Sequence, residues 1–158
     1  MSITKWILLI ILVPTAIFGS DKVIYGDDDR LDIYQAAHLP RLTALADSTL
    51  SIVDNFFIDT HSDGEFVYLE NRIWGESEGM CESERFTDQP YIATCSSFLV
   101  GEDIVATAGH CIDRLQGCQK NSFVFNYSYR NADSIPTTIA KSEVYRCKEI
   151  IARTLDFG

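Results

Sequence analysis

At 158 residues, with 46% hydrophobic and 11% aromatic side chains, the chain is long enough for one packed domain and too apolar to be disordered. Its 13 basic and 23 acidic residues leave a formal charge of −10. That balance excludes the basic footprint a nucleic-acid partner requires and opposes adsorption to anionic membrane surfaces.

The chain opens on "MSITKWILLIILVPTAIFGS", in which Lys5 precedes an apolar stretch from Trp6 to about Phe18. That stretch falls short of the about 20 apolar residues a membrane span needs. It fits a secretory signal peptide over residues 1–20, with Pro14 before a cleavage region between Ala16 and Ser20. The competing reading is an uncleaved anchor. Export to an extracellular or periplasmic space permits disulfides, and five cysteines remain: Cys81, Cys95, Cys111, Cys118 and Cys147. An odd number leaves one without an internal partner.

Next comes "DKVIYGDDDRLDIYQ", whose Asp27, Asp28 and Asp29 lack calcium-loop spacing and read as a solvated turn. Within residues 38–51, Leu39, Leu42, Leu45 and Ala46 recur at helical spacing and predict a short amphipathic helix starting near Pro40. "TLSIVDNFFI" is rich in β-branched and aromatic residues and predicts a strand. Residues 59–88 mix Gly, Asp, Glu and Ser, with one further strand expected in "EFVYLENRIW".

The later half is more regular. "TCSSFLVG" and "DIVATAG" flank Gly101-Glu102-Asp103 in the layout of a β-hairpin. "HCIDRLQGC" suits a single helical turn, and "SFVFNYSY" places Phe123, Phe125, Tyr127 and Tyr129 on one face of a strand. "SEVYRCKEIIART" supplies one strand or two. Short strands separated by turn signals indicate a mainly β fold, barrel or sandwich.

His110 is the residue that most needs a chemical reading. A histidine that activates a nucleophile must sit on a rigid scaffold, stay neutral near pH 7 and aim one nitrogen at a hydroxyl. The strand "DIVATAG" offers rigidity, and small Ala108 and Gly109 leave room for a substrate. A cross-link from Cys111 to Cys95 would join the two arms of one hairpin, although sequence alone does not prove it. Two chemical rivals fare worse. Structural zinc at His110, Cys111 and Cys118 lacks four ligands at the usual spacings. A Cys111 nucleophile would need its immediate neighbour as base, a pairing adjacent side chains rarely achieve.

The stretch "ATAGHC", with a cysteine sixteen positions before Cys111 in "CSSFLV", resembles the histidine motif of chymotrypsin-fold (trypsin-like) serine proteases. The likeness covers residues 94–113 directly, and Ser97 stands where that family usually has glycine. It implies that His110 is the general base and that Cys95 and Cys111 form a disulfide. A later cysteine pair is common in secreted bacterial members, which "GMCESERFTDQP" also resembles, and Cys118 with Cys147 would supply it. Cys81 is then the odd cysteine. More weakly, "VIYGDDDR" resembles the mature N-terminus of secreted glutamyl-endopeptidase-like proteases. That makes the Lys22-Val23 bond a processing site, against the alternative of an unprocessed N-terminus.

The resemblance implies a mainly β fold: the N-terminal β-barrel half of a chymotrypsin-like two-barrel fold, with a short N-terminal helix. Residues 1–20 are then a signal peptide and 21–88 an N-terminal or pro-like region with an insertion near 59–88. Residues 89–158 are the first barrel, ending short of the second. The implied activity is serine-type endopeptidase chemistry on a protein or peptide substrate, through an acyl-enzyme and with no metal or cofactor. Such an enzyme also needs an orienting carboxylate, a serine and oxyanion donors. No G-D-S-G-type turn occurs in the sequence; Ser96, Ser97 and Ser122 all lie in strand contexts. Asp156 follows His110 by about the template's 45 positions. It is read either as a turn residue with Gly158, the true aspartate lying further on, or as the carboxylate itself. The expectation is a 158-residue chain inactive alone, the alternative being a non-catalytic secreted homologue that serves as a binding module.

Overall fold

The computed structural model describes residues 27–61 and 64–154. The expected signal peptide, the Lys22-Val23 bond and Asp156 lie outside these residues. Contacts divide the chain after Arg30. In the first unit, Arg30 Nε and Nη2 each donate to the Asp28 carboxylate at 2.8 Å, so part of the acidic triplet's charge is spent on a neighbouring arginine. Among the described residues no helix is long and apolar enough to cross a membrane.

The unit beginning at Leu31 is mainly β. Helix α1 (Pro40–Ala46) starts on a proline, whose missing N–H costs nothing in the first turn. None of its residues is buried, so the apolar spacing expected to face a core leaves Leu42 and Leu45 in solvent. Side-chain hydroxyls bond its carbonyls: Thr43 Oγ1 donates to that of Pro40 within the helix, and Thr49 Oγ1 to that of Ala46 at its end.

Strand β1 (Thr49–Asp54) follows, and a 3₁₀ turn over Asn55–Phe57 carries the chain into β2 (Ile58–Asp59). The Asp54 carboxylate caps that turn by accepting from the Phe56 N–H at 2.8 Å. The remaining strands are β3 (Phe66–Leu69), β4 (Ala93–Leu99), β5 (Val105–Thr107), β6 (Asn121–Val124), β7 (Thr138–Ala140) and β8 (Val144–Arg146). They form two antiparallel sheets, one ordered β5-β4-β1-β6-β8 and the other β2-β3-β7. A second 3₁₀ turn, Lys141–Glu143, returns the chain from β7 to β8. Strands from either side of residue 88 interleave: β1 lies between β4 and β6, and β3 pairs with β7. The segments expected as 21–88 and 89–158 therefore share both sheets.

Because side chains alternate along a strand, β1 buries both of its faces. Val53 joins Ile58, Val67, Leu69, Ile92, Val124 and Ile139 in an aliphatic cluster that unites the two sheets. Ile52, equally buried, points the other way, toward Ile112 and Cys118 with Cys95, Cys111, Phe123, Cys147 and Ile150 around them. The second cluster is the one beneath His110.

One expectation needs correction, and another is narrowed. The aromatic strand "SFVFNYSY" ends at Val124, since Asn126 adopts a left-handed conformation (φ 59°) that a strand cannot continue. Its aromatics consequently do not share a face: Phe123 packs on the disulfide side and Tyr127 against the aliphatic cluster. "SEVYRCKEIIART" yields one strand, β8, followed by irregular chain.

Between β3 and β4 the chain makes an excursion with its own neck. The Tyr91 N–H donates to the Arg72 carbonyl at 2.6 Å, and Trp74 and Gly75 N–H groups bond the carbonyls of Gln89 and Thr87. Helix α2 (Trp74–Glu78) ends on Gly79 at φ 61°, the left-handed stop that favours glycine. A Cβ at Gly75 would come within 2.7 Å of Thr87 Cβ, so this crossing admits only glycine. Cys81 lies in this excursion, exposed and free.

Candidate functional site

The site is assembled from a hairpin and two cross-links. Strands β4 and β5 pair in the register Ser97↔Thr107, Phe98↔Ala106 and Leu99↔Val105. The Val100 N–H donates to the Ile104 carbonyl across the turn, and Thr107 Oγ1 donates to the Ser96 carbonyl at 2.8 Å. Beyond Thr107 the chain leaves the sheet, and the Cys111 N–H returns to the Ala108 carbonyl at 3.0 Å. That bond closes a four-residue turn with Gly109 and His110 at its centre.

Each neighbour of His110 is held. Cys111 is bonded to Cys95 with a Cα–Cα distance of 6.0 Å, and Cys95 stands opposite Ile52 in the central ladder. Ile112 is buried beneath the turn. On the other side, Arg153 Nε donates to the Gly109 carbonyl at 3.0 Å. His110 itself is exposed. The result is an imidazole presented to solvent from a backbone fixed on both sides, which lowers the entropy lost when a partner is engaged.

The second disulfide, Cys118–Cys147 (Cα–Cα 5.2 Å), ties helix α3 (Leu115–Lys120) to the segment after β8. It guides the chain toward Ile150, in the outer cluster, and Arg153, beside Gly109. Helix α3 starts five residues after His110, inside the segment where a helical turn was expected, and runs on to Lys120. Both cysteine pairs implied by the resemblance are therefore joined, with Cys81 left over.

The serines have other duties. Ser97 is buried and donates to the Leu50 carbonyl at 3.2 Å; Ser122 is buried and donates to Asn55 Oδ1 at 2.6 Å. Ser96 is exposed on β4. The donor cluster around the histidine also differs from the zinc set weighed above. Cys95, His110 and Cys111 place their sulfur and imidazole atoms within 4.8 Å of one another, but the Cys95 and Cys111 sulfurs are bonded to each other, as Cys118 is to Cys147. Arg153 escaped sequence reasoning because an arginine 44 positions from Gly109, in irregular chain, belongs to no periodic pattern. No family model matches the chain, and no curated protein or solved structure matches it.

Proposed function

We propose that His110 is the general base of a secreted serine-type endopeptidase of chymotrypsin-like design, and that this chain contributes the histidine-bearing part. One observation carries the reading: an exposed histidine in a turn that closes a β-hairpin and is bonded back to the preceding strand through Cys95–Cys111. In such chemistry the imidazole takes the proton of a serine hydroxyl as it attacks the scissile carbonyl, then returns it to the leaving amine. A turn held at Gly109, Cys111 and Ile112 supplies the fixed aim this needs.

Ser97 and Ser122 are unsuited to the nucleophile's role, because both hydroxyls are buried and bonded elsewhere. No G-D-S-G-type turn occurs in these 158 residues, so the reading requires the nucleophile to come from outside them. Asp156 stands three residues beyond Arg153, whose guanidinium bonds the histidine turn. By spacing from His110, Asp156 is one of two candidates for the orienting carboxylate, the other being an aspartate further on. Two disulfides suit an oxidising compartment outside the cytosol. The substrate is a protein or peptide.

The test has two parts. The purified 158-residue chain is expected to hydrolyse no peptide amide above the buffer rate. A longer polypeptide that joins these residues to a G-D-S-G-type serine turn is expected to hydrolyse peptide amides. Hydrolysis by the 158-residue chain that His110→Ala abolishes would place the nucleophile within these residues and overturn this assignment.

A further inference from the structure

Where β2 meets β3, the chain forms a cleft that the histidine chemistry does not use. Its volume is about 540 Å³, and Phe56, Asp59, Tyr68 and Glu70 stand in its walls. Among the described residues, no lysine or arginine lines it. We propose that this cleft docks a basic segment of a partner protein, whose lysine or arginine side chains lie against Phe56 and Tyr68 and pair with Asp59 and Glu70. This inference does not depend on His110 being a catalytic base.

The aromatic wall is rigid although it faces water. Phe56 is 74% exposed, yet it sits in the 3₁₀ turn Asn55–Phe57, where the Asp54 carboxylate accepts its N–H. The Asn55 side chain donates to the Gln119 carbonyl at 3.0 Å and accepts from Ser122 Oγ at 2.6 Å. Phe57 packs on the aliphatic cluster and meets Phe56 edge-on, with ring centroids 5.3 Å apart. Tyr68, 56% exposed, is set by β3, the strand paired on both sides in its sheet. Rings held in place before a partner arrives lose little freedom when they are covered.

Charge selects the occupant. Asp59 stands directly opposite Tyr68 in the β2–β3 register, which sets their Cβ atoms about 4.5–5.5 Å apart on one face. Its carboxylate is steadied by the His61 N–H at 2.8 Å. Glu70 follows β3, and its N–H donates to the Phe57 carbonyl at 2.9 Å. Carboxylates beside exposed rings favour an ammonium or guanidinium group, which gains from the ion pair and from the negative ring face together. Phe57 shows the same preference within the chain: the Arg72 guanidinium lies 4.8 Å from its ring centroid.

Size and net charge narrow the occupant to a stretch of basic polypeptide. Ligand clefts span about 300–1,000 Å³, and a cleft of about 540 Å³ is larger than one ammonium headgroup fills. A second copy of this chain carries the same charge of −10 and is repelled. A basic partner is attracted by that same field, which speeds its encounter and weakens with added salt.

Titrating the isotope-labelled full chain with a peptide of alternating lysine and glycine, followed by amide chemical shifts, reads both affinity and place. The lysine peptide should move the resonances of residues 55–59 and 68–70 saturably, and a glutamate–glycine peptide should not. Asp59→Asn with Glu70→Gln should weaken binding about tenfold, and Phe56→Ala about threefold. All three side chains are exposed, so the variants should fold. The same loss of charge in the β4–β5 turn, Glu102→Gln with Asp103→Asn, should leave affinity within about twofold. The inference is overturned by the absence of saturable shifts at the cleft, or by a folded Phe56→Ala variant that binds like wild type. Equal weakening by the Glu102 and Asp103 pair would reduce the attraction to net charge and overturn it too. Tetramethylammonium or phosphatidylcholine vesicles binding there as tightly as the peptide would make the occupant a headgroup, and that result overturns it as well.

Discussion

On one face of the five-stranded sheet, Val53 and Val124 pack against Ile58, Val67, Leu69 and Ile139, aliphatic on aliphatic. On the other face, Ile52 is covered by Ile112, two disulfides, Phe123 and Ile150. Neighbouring residues of β1 are thus buried by different means, one by volume and one largely by covalent links. Small domains often make up a thin apolar layer with disulfides. The stapled face is also the one that carries His110, where a rigid turn must be offered to solvent and cannot be buried to be held. A disulfide fixes backbone without covering it, which is why the two requirements meet there.

The sharpest way to break this comparison is to remove a staple. Cys118→Ala with Cys147→Ala opens a loop of 29 residues and should cost about 3–4 kcal/mol of stability in urea unfolding. Loss below about 1 kcal/mol would mean that the outer face is held by packing after all. On the inner face Ile139→Ala, at a buried position, should cost about 2–3 kcal/mol through a cavity. That cost should be the same with the disulfides oxidised or reduced, because the inner cluster contains no cysteine.

A smaller effect tests the edge of the inner face. Tyr127 packs there and donates to Asn71 Oδ1 at 2.8 Å. Burial, with a lesser contribution from Tyr129, raises its phenol well above the usual tyrosine range. The folded chain therefore keeps a proton that the unfolded chain loses near pH 10. Stability should be constant below pH 10 on this account and fall as pH rises beyond it. Tyr127→Phe should flatten that alkaline decline while costing about 1 kcal/mol at neutral pH for the lost hydrogen bond. The smallest effect belongs to the site itself: His110→Ala should change stability by less than about 0.5 kcal/mol, since the side chain is exposed. A larger loss would make the histidine a structural residue.

Local signals in the sequence carried much of the fold. Pro40 marked the start of α1, and the paired runs around Gly101-Glu102-Asp103 gave the hairpin with its histidine turn. The Cys95–Cys111 pairing was legible through the resemblance of "ATAGHC" to the protease histidine motif, and the two cysteines are joined. What failed was non-local or depended on backbone sign. The leucine spacing of α1 gave the helix but not its burial, since Leu42 and Leu45 are exposed among the described residues. The alternation through Tyr129 ignored Asn126, whose left-handed turn sends Phe123 and Tyr127 to opposite sides. The bond from Arg153 to Gly109 depends on the path set by Cys118–Cys147, which no local pattern encodes.

The central proposal, that His110 acts as a base toward a serine supplied from outside these 158 residues, is tested most directly by kinetics of a polypeptide that supplies a G-D-S-G-type serine turn. His110→Ala should lower kcat/KM for peptide hydrolysis on the order of 10⁴-fold or more, with the fold unchanged by circular dichroism. A loss of less than tenfold in a folded variant would contradict the claim.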